Sequence, residues 1–293
     1  MRIPQISPTI APPSLWPLAL GQSVGDLKIA GKTLLDWQRA GWGSINGASD
    51  CGQDALAWVA PEDLEKLSTA DSATGAARLV DTEGRVLAWI GSAAAESTLQ
   101  ASSASFFLIH PWDVLRLNEI LVSRIQENSI AGEISAAAQV DGILVLGAGS
   151  RILPGVFIEG TVVIGKDCKI GPNCYLRGNT SIGDKCHIGQ SVEIKNCLIG
   201  DQTNVGHLSY VGDSVLGNRV NFGAGTTTSN LRHDGTTHRS MVAGTLVDTG
   251  RRKFGTIVGD GVHTGIHTAI YPGRKFGPKS TTRPGAIVEH DVI

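Results

Sequence analysis

Branched aliphatic residues recur at every sixth position along the second half of the chain. From Ile134 the series runs through Val140, Leu146, Ile152, Ile158, Ile164, Ile170, Leu176, Ile182, Ile188 and Ile194. It continues through Ile199, Val205, Val211, Leu216, Phe222 and Thr228, with two steps shortened to five, then resumes at Val258, Thr264, Ile270, Phe276, Thr282 and Val288. The residue after each is most often glycine. A hexapeptide period this long predicts short strands joined by tight corners, three to a triangular coil, the aliphatic inside and glycine easing the bend. Stacked about 4.8 Å apart, roughly seven coils make a parallel β-helix. Residues 18 apart then share one wall.

The first half follows a different pattern. All six tryptophans (16, 37, 42, 58, 89, 112) precede residue 113, which marks a domain boundary. Between the halves, PWDVLRLNEILVSRIQEN (111–128) opens with proline and spaces Val114, Leu117, Leu121 and Ile125 three or four apart. This predicts a helix with one apolar face, placed to cap the open end of the coil stack. The expected organisation is a small α/β domain over 1–108, a linker helix over 109–130 and the β-helix over 131–293.

Composition narrows the function classes. A net charge of -2 over 293 residues offers no general attraction to nucleic acid or anionic lipid. No run of about 18 apolar residues suggests a membrane span, and MRIPQISPTIAPPSLWPLAL lacks the basic start and continuous apolar stretch of a signal peptide. The expectation is a soluble cytoplasmic protein. Cys168, Cys174 and Cys186 each fall four places after an aliphatic, the second inward position of the repeat, and read as small core residues rather than zinc or disulfide partners. LGAGSR (146–151) imitates a phosphate loop, but Leu146 is in register as a core residue, and register overrules the motif.

Chemistry is sought where the repeat is broken. Arg177 and Lys195 follow their aliphatics where glycine is usual and lie one coil apart. Two stacked cations read either as a solvated face or as a place for a doubly charged anion such as a sugar phosphate. Glu193 and Tyr210 fall in a column beside them, His207 at the corner leading into the strand of Val211, and Asn221 one coil further on the adjoining face. That convergence favours a chemical role for His207 over an ordinary exposed corner histidine. The second break, residues 230–256, is an inserted loop whose return carries Arg251, Arg252 and Lys253. Such a loop is either simply flexible or supplies contacts to phosphate or a coenzyme.

With these residues identified, the chain resembles the acetyltransferase domain of the bifunctional sugar-1-phosphate uridyltransferase and glucosamine-1-phosphate acetyltransferase family. The resemblance rests on CYLRG (174–178), SVEIK (191–195), GHLSYVGDSVLGNRVNFGAGT (206–226), SNLRHDG (229–235), TGRRKFG (249–255) and TGIHTAIYPG (264–273). It implies a left-handed β-helix, a homotrimer, and acetyl-CoA bound between subunits as acetyl donor. It implies His207 as catalytic base and Arg177, Lys195, Tyr210, Asn221 and Asn230 as substrate contacts, to which the coil register adds Glu193. Ala224, Thr226, Thr264, Arg251, Arg252 and Lys253 are the implied coenzyme contacts, and no metal is required. Where some members carry a serine near the coenzyme, this chain has Ile266. The GRRKFG and TGIH forms are closer to the subgroup that acetylates both glucosamine and galactosamine phosphates.

The amino-terminal half is similar to the family only in SLWPLALGQSVGDLKIAGKTLLDWQ (14–38) and FFLIHPWDVLRLNEILV (106–122). QISPTIAPPS (5–14) stands where a nucleotide-binding glycine loop would cradle phosphate, so no uridyltransferase activity is expected. Two other readings stay open. A zinc hydratase of the carbonic anhydrase type would use His207, His263 and His267, but Gly212 stands where its second ligand is usual. A noncatalytic β-helix scaffold is the third.

Overall fold

The computed structural model describes residues 4–19, 22–43, 45 and 50–293. Met1–Ile3, which the leader reading touches, and Leu20 and Gly21 of the 14–38 match lie outside the described residues. The chain forms two units: Met1–Pro12, Gly21–Leu27 and Lys32–Ile109 in the first, Pro13–Leu20, Lys28–Gly31 and His110–Ile293 in the second.

The first unit carries helices α1 (Leu34–Gly43) and α2 (Pro61–Thr74) and a four-stranded sheet. In that sheet Val86–Ile90 pairs antiparallel with both Cys51–Gln53 and Ala77–Val80, and only Thr98–Gln100 joins in parallel. This is a mixed sheet, unlike the parallel sheet of a doubly wound nucleotide-binding domain. Its core gathers Trp42, Leu64, Leu67, Leu79, Leu87 and Ile90. Asp63 is buried among hydroxyls: its Oδ2 accepts from Ser105 Oγ at 2.6 Å and Ser102 Oγ at 2.7 Å.

The second unit is a parallel β-helix whose register follows the hexapeptide period. One inward column climbs Ile134, Ile152, Ile170, Ile188, Val205 and Phe222. A second climbs Val140, Ile158, Leu176, Ile194 and Val211, and a third Leu146, Ile164, Ile182, Ile199, Leu216, Val258 and Phe276. Above the first rungs these residues form one continuous core, which also takes in Cys168, Cys174 and Cys186. Each buried aliphatic contributes about 1.5–3 kcal/mol of transfer free energy.

Helix α3 (Pro111–Ser123) departs from expectation twice. It stops five residues before 128, because Ser129–Ile130 already pairs as a strand with Val145–Leu146. It also lies along a wall of the prism rather than over its end. It packs on Phe157–Ile164, Thr180–Ile182 and Val215–Leu216. Asn118 Nδ2 donates to Asn179 O at 3.1 Å and Cys197 O at 3.4 Å, while Ser181 Oγ donates to Asn118 Oδ1 at 2.5 Å. The outward column of that wall, Val163, Ser181, Leu198, Val215, Ile257 and Lys275, is accordingly buried. Lys28 joins the covering, its Nζ bound to Asp184 at 2.7 Å and to Asp201 at 3.1 Å.

The insertion is more ordered than a plain loop. Arg239–Val242 and Thr245–Asp248 form an antiparallel hairpin, turned by Ala243 and Gly244 at φ 46° and 84°. Positive φ at both central residues suits the right-handed twist of a two-residue hairpin. Among the described residues no helix is long and apolar enough to cross a membrane.

Candidate functional site

Parallel register gathers the substrate residues read from the sequence. Glu159, Arg177, Lys195 and Gly212 occupy successive rungs of one column, and Tyr175, Glu193 and Tyr210 those of a column two residues earlier. The cations are not left facing each other. Arg177 Nε and Nη2 both donate to Glu193 Oε1, at 2.8 and 2.6 Å, and the guanidinium lies 5.3 Å from the Tyr175 ring centre. Lys195 Nζ donates to Asp213 Oδ2 at 2.9 Å and Oδ1 at 3.2 Å. Each cation therefore waits on its own carboxylate, which fixes its direction and cancels the repulsion between rungs.

Asp213 was not read from the sequence as a site residue, although it closes the VGHLSYVGD stretch (205–213). Its carboxylate also accepts from Asn230 Nδ2 and from Asn196 Nδ2, the latter at 3.0 Å. Asn230 Nδ2 donates in turn to Tyr210 Oη at 3.0 Å. Burial pushes the Tyr210 phenol above its ordinary pKa, and the charges of Asp213 and Glu193 add to this, so it stays a neutral O–H donor. Behind Asp213, Asn196 Nδ2 also reaches Glu119 Oε1 of α3 at 2.6 Å, and Glu119 Oε2 accepts from Arg251 Nη1 at 3.0 Å. The linker helix and the return of the insertion thus brace the site from behind.

His207 ends the strand Asn204–His207 on the adjoining wall, where it pairs with Gln190. Leu208, at φ 51°, and Ser209, whose Oγ donates to His207 O at 2.7 Å, carry the chain round the corner to Tyr210. The imidazole is exposed, and among the described residues no side-chain partner holds its ring. His187, three residues along the strand beneath from Gln190, is held below its ordinary pKa by burial, with Lys169 and His207 adding to the shift. Asn221 stacks on Asn204, in a strand of the His207 wall, and Ala224 is one coil above His207, with Ile266 one coil further. Ile266 is 51% and Leu208 63% exposed, giving that corner an apolar edge.

The remaining implied coenzyme residues do not converge within the chain. Thr226 and Thr264 are buried and share a 2.8 Å hydroxyl contact inside the prism. Arg251 turns to Glu119, Arg252 Nε donates to Gly235 O at 3.0 Å, and Lys253 is exposed. Beside Asn230 a cleft of about 440 Å³ opens under the insertion, lined by Arg232, His238, Arg239, Tyr271 and Arg274 among others. Its cations are partly engaged: Arg232 with Asp234, and Arg274 with the carbonyls of Pro272 and Glu289. Among the described residues no group of three or more His, Cys, Asp or Glu side chains is placed to hold a metal. His263 stacks on Asn221, while His267 lies over Gly225 at the next corner.

Residues 158–272 match the family described as "GMPPB C-terminal domain". A bifunctional sugar-1-phosphate nucleotidylyltransferase/acetyltransferase of Sulfurisphaera tokodaii is 40% identical over 182 residues, 62% of this chain and 45% of that protein. The carboxy-terminal half is thus similar to bifunctional sugar-1-phosphate nucleotidylyltransferase/acetyltransferases. The bifunctional protein GlmU of Methanococcus maripaludis is 41% identical over 183 residues, 62% of this chain and 44% of its own. The chain spans less than half the length of these relatives. Francisella novicida UDP-N-acetylglucosamine acyltransferase aligns with a TM-score of 0.26 and 14% identity over 56% of this chain and 63% of that one, too little to carry an argument.

Proposed function

We propose that the β-helix transfers the acetyl group of acetyl-CoA to the 2-amino group of a hexosamine 1-phosphate, glucosamine 1-phosphate or galactosamine 1-phosphate. The observation that carries this reading is the placement of Arg177, Lys195 and Tyr210 on one wall, directly across a corner from the exposed His207. The relatives' names, which join sugar phosphates to acetyl transfer, support it.

An ammonium has no lone pair, so the amine must reach the thioester deprotonated, and an imidazole nitrogen can accept that proton. In the proposed reaction His207 takes the proton as nitrogen attacks the thioester carbon. The tetrahedral intermediate then collapses, the carbon–sulfur bond breaks, and the proton passes to the departing thiolate. Arg177 and Lys195, each still held by its carboxylate, meet the 1-phosphate with their remaining N–H donors, and Tyr210 donates its O–H. The apolar edge of Leu208, Ala224 and Ile266 suits the uncharged arm of the coenzyme. With Thr226 and Thr264 closed off, the exposed Arg252 and Lys253 meet the coenzyme phosphates across a subunit boundary of the homotrimer that the family resemblance implies.

The first unit is assigned no uridyltransferase activity: residues 5–14 offer no glycine loop, and its sheet is mixed. The test is acetyl-CoA consumption with glucosamine 1-phosphate, galactosamine 1-phosphate and the unphosphorylated sugars. Consumption that depends on the phosphate supports the assignment. Equal rates with the free sugars, or none with any acceptor, reject it.

A further inference from the structure

We propose that Asp213 is the positioning residue of the acceptor site, holding Lys195 and Asn230, and through Asn230 the Tyr210 phenol, in the directions that receive the acceptor's phosphate. The inference rests on the acetyl-transfer reading and adds to it a residue that touches neither the reacting atoms nor the coenzyme.

The backbone gives the first reason. One corner of the prism is a ladder of left-handed residues: Gly142, Gly160 and Gly178 at φ 152°, 81° and 72°, then Asn196 and Asp213 at 53° and 50°. Glycine meets that demand without strain, whereas a side chain there is a cost that Asn and Asp merely bear better than others. The exchange from glycine occurs at the two rungs whose side chains enter the network. Asn196 and Asp213 hydrogen-bond to each other, and Asp213 to Lys195.

The second reason is the surroundings of the carboxylate. Its side chain is 4% exposed and collects three nitrogen donors, from Lys195, Asn230 and Asn196. A lysine ammonium sits on four flexible carbons and takes its direction from its partner. With the Lys195 side chain 16% exposed, Asp213 supplies that direction. The same carboxylate fixes the Asn230 amide, whose other contact is Tyr210 Oη. One anion thus aligns two of the three groups assigned to the phosphate.

The experiment compares Asp213→Asn, Lys195→Met and the double variant in steady-state acetyl transfer, with thermal unfolding of each. Asp213→Asn keeps size and one acceptor oxygen but loses the charge. Its KM for the hexosamine 1-phosphate is expected to rise about 10- to 100-fold, the range for loss of an ordered charge-assisted contact. The expected kcat stays within about threefold of wild type and the KM for acetyl-CoA is unchanged, since His207 and the apolar edge of Leu208, Ala224 and Ile266 are untouched. Added to Lys195→Met, the same change should raise KM much less than it does alone, because most of its effect passes through Lys195. An acceptor KM equal to wild type, fully additive losses, or a loss confined to melting temperature and active fraction overturns the role of Asp213 while leaving acetyl transfer standing. A wild-type protein that acetylates no hexosamine phosphate overturns the reading beneath it, and this role with it.

Discussion

The seating of α3 on the prism wall makes a quantitative prediction at Asn118. This side chain is fully buried, donates to two carbonyls of the β-helix, Asn179 O at 3.1 Å and Cys197 O at 3.4 Å, and accepts from Ser181 Oγ. Asn118→Leu is close in size, so the cost is one of polar satisfaction rather than volume. The Ser181 hydroxyl, buried and bonded to Asn118, loses its acceptor, and Asn179 O loses its side-chain donor. The long contact to Cys197 O adds little. A buried polar group left unmatched costs about 1–3 kcal/mol, so two such groups give about 2–6 kcal/mol in all. Equilibrium urea unfolding of the full chain, followed by far-ultraviolet circular dichroism, measures it. Adding Ser181→Ala should recover about 1 kcal/mol, because replacing both partners by apolar groups removes the orphan. A loss below about 0.5 kcal/mol, or no recovery in the double variant, refutes the seating of α3 through Asn118.

Other predictions follow from the same geometry. Ile188, fully buried in the first inward column, should cost about 2–5 kcal/mol on truncation to alanine by the same urea titration. Burial alone would raise the pKa of Asp63, but the hydrogen bonds from Ser105, Ser102 and Lys66 outweigh it and hold the carboxyl below its ordinary 3.8. Its contribution is therefore present above that ordinary value and is lost as pH falls through the depressed one, so Asp63→Asn should flatten the acid limb of stability against pH. An unchanged acid limb would show that the Asp63 cluster does not drive it.

The coil register was legible because it is a pattern of period six, and the period survives wherever the core must be aliphatic. The columns of Arg177 with Lys195 and of Tyr175, Glu193 and Tyr210 follow from it by counting. What counting does not supply is the partner of each side chain. Glu193 was placed in its column, yet its bond to Arg177 depends on side-chain direction, and Asp213 reaches Lys195 only because the corner turns left-handed there. A usable signal was present: glycine holds the corner at 142, 160 and 178, and its replacement by Asn196 and Asp213 marks rungs where a side chain is needed. The seating of α3 on a wall, where the sequence reading had placed it over the coil end, also had a signal that went unused. Outward positions on most walls are charged or polar, as at Arg151, Lys169 and His187. Val163, Leu198, Val215 and Ile257 are apolar on both sides of their strands, the mark of a wall covered from outside. The six-residue period alone could not reveal the insertion's hairpin, since residues 230–256 carry no repeat.

The central claim is that the exposed imidazole at the corner before Tyr210 is the base for acetyl transfer. It is tested most directly by comparing wild type with His207→Ala in kcat for acetylation of glucosamine 1-phosphate at saturating acetyl-CoA. The account predicts a fall of about 100- to 10,000-fold with an unchanged unfolding transition, the usual range for loss of a general base. Turnover within a fewfold of wild type in a folded variant would contradict it.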